Sequence, residues 1–197
     1  VLAHTLDIFQ RCPAIQNIVV VAAAKEEDNC RELVNRFGLS KVISIVPGGK
    51  ERLNSVAKGL SQIPSECTLV VVHDGARPLL LPNHLMDVIR MAEETGAAVL
   101  AVPVKDTLKV VGKDLFVKET PDRAAIWAVQ TPQAFKKEII IDCYRRALQD
   151  KVMGTDDASL VERYGYQVKI VLGNYENIKI TTPEDLELAE LLLRRRV

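Results

Sequence analysis

The sequence has 197 residues, 48% hydrophobic and 26% charged, a balance that suits one soluble domain with a sizeable core. Its 26 basic and 26 acidic residues cancel, so no electrostatic footprint points to nucleic acid or to an anionic membrane. No stretch approaches the ~18 consecutive apolar residues of a membrane span, and no leader-like segment marks export. The cysteines Cys12, Cys30, Cys67 and Cys143 lack paired or ligand spacing; they read as reduced thiols of a cytosolic protein, not as a disulfide framework or a metal site.

Val1 to Phe9 carry apolar side chains on one helical face. No capping residue opens that helix, so the native chain is expected to extend further toward its N-terminus. Ile18 to Ala22 is a continuous apolar run of the kind buried on both faces of a parallel sheet. A polar helix from about Glu26 to Phe37 follows, stopped by Gly38. Val42 to Val46 predicts a strand broken by Pro47-Gly48-Gly49, and residues 51–60 a helix. Thr68 to Val72 is again apolar and runs into His73-Asp74-Gly75-Ala76-Arg77-Pro78. A helix near 83–94 and a strand at 97–102 come next. This alternation predicts an α/β fold with a doubly wound, mostly parallel, Rossmann-like sheet.

Residues 105–129 break the rhythm, being too long for an ordinary connection and too polar for a core strand. Two readings stand: a protruding β-arm that embraces a partner subunit, or a solvated surface hairpin. Helices near 136–147 and 157–164, a strand at 167–172 and a last helix after Pro183 complete the chain. Arg194, Arg195 and Arg196 complement the negative end of that helix. The expected organisation is a single domain over 1–197, with the arm at 105–129 inside it.

Ligands of such sheets sit beyond the carboxyl ends of the strands, which directs attention to four junctions. At Gly48-Gly49 the backbone can approach a ligand closely, and Ser55 lies on the first turns of the helix that follows; glycine there is also explained by the turn alone. Asp74 at a strand end suits a hydrated magnesium ion, and Arg77 offers a fork that fits phosphate; the alternative is a structural Asp–Arg pair before Pro78. His73 reads as packing rather than as a base. Lys179, between Ile178 and Ile180, is placed to counter phosphate charge or else lies on an exposed edge. In Thr155-Asp156-Asp157-Ala158-Ser159-Leu160, Thr155 or Asp156 reads as a helix cap, with a functional role as the alternative, and Thr182-Pro183-Glu184-Asp185 reads as a helix cap.

In combination these fragments resemble the 2-C-methyl-D-erythritol 4-phosphate cytidylyltransferase family over the whole chain. The resemblance rests on Gly48-Gly49 with Arg52 and Ser55, the His73 to Pro78 segment, Asp106-Thr107-Leu108-Lys109, Asp122-Arg123 with Trp127, Thr131 to Phe135, Thr155 to Leu160, and Asn177 to Thr181. It implies magnesium-dependent transfer of a cytidylyl group from CTP to the sugar phosphate, chiefly by positioning and charge neutralisation. By the same resemblance Gly48, Gly49 and Ser55 line the cytosine pocket. Asp74 and Gly75 lie beside the metal-bound phosphates, Asp74 as the metal ligand, and Lys179 holds the phosphates. Arg77 contacts the acceptor. Thr120 and a basic residue at Lys136 or Lys137 reach the partner subunit's site in a homodimer.

The resemblance also implies a strand and a Gly-rich loop ahead of Val1, with two catalytic cations, so the 197-residue chain alone is expected to be inactive. The setting it implies is bacterial cytoplasm or plastid stroma. Two rivals differ in class: a ribitol 5-phosphate cytidylyltransferase, and a non-catalytic nucleotide-binding or dimerisation module. Ala76-Arg77-Pro78-Leu79 and Ala158-Ser159-Leu160 favour methylerythritol phosphate over ribitol phosphate.

Overall fold

In the computed structural model, which describes residues 1–196, α1 (Leu2–Arg11), β1 (Ile18–Ala22), α2 (Glu27–Arg36), β2 (Val42–Pro47), α3 (Arg52–Leu60) and β3 (Leu69–Val72) lead into α4 (Pro82–Thr95) and β4 (Ala97–Pro103). A two-stranded ribbon, β5 (Val110–Val111) and β6 (Val117–Glu119), precedes β7 (Trp127–Lys136). Then come α5 (Lys137–Asp150), α6 (Asp157–Arg163), β8 (Lys169–Leu172) and α7 (Pro183–Arg194).

The local chemistry explains where elements stop. Gly38 (φ +60°) and Gly96 (φ +94°) take the left-handed conformation that ends α2 and α4. Asp156 caps α6 and Thr182 caps α7, each with a reciprocal bond from the residue three positions on.

The main sheet has the order β3-β7-β4-β8, and β1 and β2 form a separate parallel pair. β4 from Ala97 to Val102 is buried throughout, because helices cover both faces. Val70, Val99 and Phe135 pack with Ile140, Tyr144 and Leu160 of α5 and α6. Ala98, Leu100 and Ala134 face Leu85, Val88 and Ile89 of α4 on the other side. The edges of β1 and β3 look at each other across an apolar groove of about 590 Å³.

The α/β class and the helices on both faces agree with expectation; the pairing is more mixed than expected. β7 runs antiparallel to both β3 and β4 and occupies the middle of the sheet, so residues 127–129, expected in the arm, belong to the core strand. Pro132 is accommodated because β4 slips register opposite it, between Val99 and Ala101, and β3 ends its pairing at Gln133. The ribbon therefore lies within residues 104–126, closed at its root by the Val104 amide bonding the Ile126 carbonyl.

Candidate active site

Asp74 stands just past the carboxyl end of β3, where the chain leaves the sheet. Its Oδ2 accepts from Arg77 Nε at 3.2 Å and lies 3.3 Å from Lys179 Nζ. Its amide donates to the Thr131 hydroxyl at 3.1 Å, and the Thr5 hydroxyl of α1 donates to the Gly75 carbonyl, so the turn is held from two sides. Burial alone would raise the Asp74 pKa, but Lys179 and Arg77 outweigh it and hold the carboxyl below its ordinary value. The Asp74 and Arg77 side chains are 21% and 13% exposed, that of Lys179 48%. Lys179 is thus the more open of the two cations to an incoming anion.

The Lys179 loop is locked to the same turn. Arg77 Nη1 donates to the Asn177 carbonyl at 2.7 Å, and the Ile180 amide donates to the Ala76 carbonyl at 2.9 Å. Asn177, fully buried, donates to Gln130 Oε1 and the Thr131 carbonyl. His73 packs on the Phe9 ring, and burial pushes its pKa down to about 4. It is a neutral packing residue, as expected from the sequence.

The second junction is built from Gly48, Gly49 and the first turn of α3. The Gly49 amide donates to Ser55 Oγ at 2.9 Å, and Lys58 Nζ donates to the Gly48 carbonyl at 3.0 Å. A Cβ on Gly49 would lie 2.3 Å from the Asn54 Cβ, so the loop lies flat on the helix and only glycine fits. Ser55 therefore shapes the loop as well as facing it. Arg52, one turn before Ser55, forks onto Asp157 at 2.9 and 2.5 Å.

β7 joins the two junctions, which motif spacing did not reveal. Its buried Gln130, Thr131 and Gln133 respectively bond the Asn174 carbonyl, the Asp74 amide and the Asp156 carboxylate. Gln133 also accepts from the Ala158 amide. The available signal was a row of polar side chains inside an otherwise apolar run, since buried polar groups have to be bonded.

Lys136 and Lys137 lie away from the Asp74 cluster of their own chain. Lys136 pairs with Leu69, at the amino end of β3 and so at the opposite end of the strand from Asp74. Lys137 Nζ donates to the Pro64 and Ser65 carbonyls. Both follow the core strand, and the role expected of either lies toward the partner subunit's site rather than this one. Thr120 does lie at the ribbon, where its hydroxyl accepts from Lys109 Nζ. The basic residue after it before β7 begins is Arg123, whose guanidinium donates to the Lys105 carbonyl. Among the described residues no cluster of three or more His, Cys, Asp or Glu side chains could hold a metal by itself, and no helix is long and apolar enough to cross a membrane.

Residues 1–195 match the family model for 2-C-methyl-D-erythritol 4-phosphate cytidylyltransferase (IspD). The enzyme of that name from Pelotomaculum thermopropionicum is 51% identical over 197 residues, covering 100% of this chain and 83% of the relative. Its namesake from Caldanaerobacter subterraneus subsp. tengcongensis is 47% identical, with 99% and 86% covered. The crystal structure of 4-diphosphocytidyl-2C-methyl-D-erythritol synthase from Anaerococcus prevotii superposes with a TM-score of 0.90 at 33% identity, covering 98% of this chain and 85% of that one. A match of this extent, over a chain whose motifs gather around Asp74, shows that the chain belongs to the 2-C-methyl-D-erythritol 4-phosphate cytidylyltransferase family.

Proposed function

We propose that the protein transfers the cytidylyl group of CTP to 2-C-methyl-D-erythritol 4-phosphate, in isoprenoid biosynthesis. An oxygen of the acceptor phosphate attacks the α-phosphorus of CTP. The bond from that phosphorus to the bridging oxygen breaks, pyrophosphate leaves, and 4-diphosphocytidyl-2-C-methyl-D-erythritol remains. The observation that carries this reading is the Asp74–Arg77–Lys179 cluster, set at a strand's carboxyl end in a chain of this family.

Negative charge accumulates on the phosphate oxygens during transfer, and fixed cations stabilise it without reorganising. Lys179, half exposed and braced by Asp74, supplies such a cation and holds the phosphates in line. Arg77, anchored at Nη1 by the Asn177 carbonyl, orients the acceptor. Gly48, Gly49 and Ser55 receive the cytosine, and Gly75 lies beside the phosphates.

Magnesium fits Asp74 on one observation: the carboxylate stands past a strand's carboxyl end with its side chain still 21% exposed, and the approaches of both cations are to Oδ2. Magnesium commonly binds through one or two carboxylates plus substrate phosphates. Asp74 with the nucleotide phosphates would hold it there, and it would neutralise the phosphate charge.

The ribbon serves a second copy of the chain. Leu115 and Phe116 at its turn are 81% and 75% exposed, an apolar tip that asks for a partner. Thr120 and a basic residue at Lys136 or Lys137 would then reach the acceptor in the partner subunit's site. A cytoplasmic setting in a bacterium belongs to this reading, in keeping with the bacterial relatives.

Pyrophosphate release by the full-length protein, with methylerythritol 4-phosphate and ribitol 5-phosphate compared, tests the assignment. Preference for the first supports it. Preference for ribitol phosphate would transfer the protein to the rival substrate class, and no release with either would leave a non-catalytic module.

A further inference from the structure

Asp157 is fully buried, yet it carries a carboxylate. It receives both arms of the Arg52 guanidinium, and the Tyr144 hydroxyl donates to Oδ1. The three residues come from α3, α5 and α6, and nothing in the sequence signalled that they meet. An ion pair with Asp157 buried and the Arg52 side chain 39% exposed contributes little net stability over apolar side chains of the same volume. What it supplies is direction, because a bidentate fork accepts one geometry.

Each partner is tied onward. Arg52 opens α3, and Ser55 one turn later accepts the Gly49 amide. The missing Cβ of Gly49 leaves no slack between loop and helix, so a displaced helix start displaces the loop. On the other side Asp157 follows Asp156, whose carboxylate is held by Gln133 of β7. The same strand holds the Asp74 amide through Thr131. Burial and the adjacent carboxylate push the Tyr144 pKa up, so its hydroxyl stays a donor.

We propose that Arg52, Asp157 and Tyr144 form a clamp centred on the buried Asp157 that registers the Gly48–Gly49 loop to β7, and that this clamp sets the selection of cytosine over uracil. Arg52 and Asp157 are positioning residues, not catalytic ones. The proposal rests on the reading that Gly48, Gly49 and Ser55 line the base pocket.

The test compares Arg52→Lys, Tyr144→Phe and Asp157→Asn with Ser55→Ala, reading CTP affinity by calorimetry, the CTP-to-UTP preference in turnover, the acceptor KM and the thermal midpoint. Arg52→Lys keeps the charge and loses the fork; CTP affinity and the CTP-to-UTP preference should each fall by about tenfold while the acceptor KM holds. Tyr144→Phe should move both quantities in the same direction by less. Should Asp157→Asn fail to fold, those two variants carry the test. A lower thermal midpoint with unchanged CTP affinity and unchanged base preference in both would overturn the clamp and leave a purely structural cluster. If Ser55→Ala weakens CTP and the clamp variants do not, the clamp falls and the pocket stands. If none of the four weakens CTP, the base-pocket reading fails and takes the clamp with it.

Discussion

Lys179 Nζ lies 3.3 Å from Asp74 Oδ2, and Arg77 Nε meets the same oxygen at 3.2 Å. One carboxylate thus braces two cations that arrive from separate stretches of the chain. Phosphate transfer needs positive charge held in place before the substrate arrives, and this arrangement provides it.

Replacing Lys179 by Met removes the cation most open to phosphate. Turnover should fall by about 10²–10³-fold, the scale of losing one fixed electrostatic contact in a transition state. The side chain is half exposed, so the thermal midpoint should hardly move. Steady-state kinetics beside a melting curve distinguish this from a folding defect; retained turnover would remove Lys179 from the site.

Asp74 and His73 give the protein an acid-side signature with two parts. The unfolded His73 would titrate near 6.5, whereas in the fold burial pushes it down to about 4. The unfolded chain therefore binds the proton first, and on the order of 3 kcal/mol of stability is lost as pH falls between those values. Asp74 has a native pKa below 3.8, so its contribution is complete above that value and lost only as pH falls through the lower native one. Thermal midpoints from about pH 7.5 to about pH 4 should slope downward, and His73→Gln should flatten the slope. An unchanged slope in that variant would contradict the assignment.

Lys137 carries two roles, a brace for its own chain and the basic residue proposed to reach the partner subunit's acceptor. Its ammonium bonds two carbonyls of the loop that leads into β3, so Lys137→Met should cost about 1 kcal/mol and lower the melting point by roughly 2–4 °C. The acceptor KM should rise while CTP affinity holds. An unchanged acceptor KM in Lys137→Met would remove Lys137 from the partner subunit's site.

The ribbon makes its own prediction. Leu115→Asn with Phe116→Ser should shift sedimentation from dimer toward monomer and lower turnover in parallel. A parent protein that sediments as a fully active monomer would remove the ribbon from catalysis.

Much of this was readable in the residues themselves. Apolar runs such as Ile18–Ala22 and Ala97–Val102 marked strands, and Thr182 with Asp185 marked the start of α7, because burial and capping are written locally. β7 was not readable in the same way. Gln130, Thr131, Pro132 and Gln133 argue locally against a central strand, and only tertiary partners satisfy them. Missing that strand also put the arm's end too far along the chain. The Asp74–Lys179 pairing had the opposite fate: each residue stood out by its position at a strand end, while their contact depended on how the Asn177 loop folds back onto Arg77.

The most direct test of the central claim is pyrophosphate release from CTP and magnesium by the full-length protein, with methylerythritol 4-phosphate and ribitol 5-phosphate measured separately. Rapid release with the first, weak release with the second, and loss of both in Lys179→Met are the predicted results. Equal or greater release with ribitol 5-phosphate, or full activity in Lys179→Met, would contradict the account.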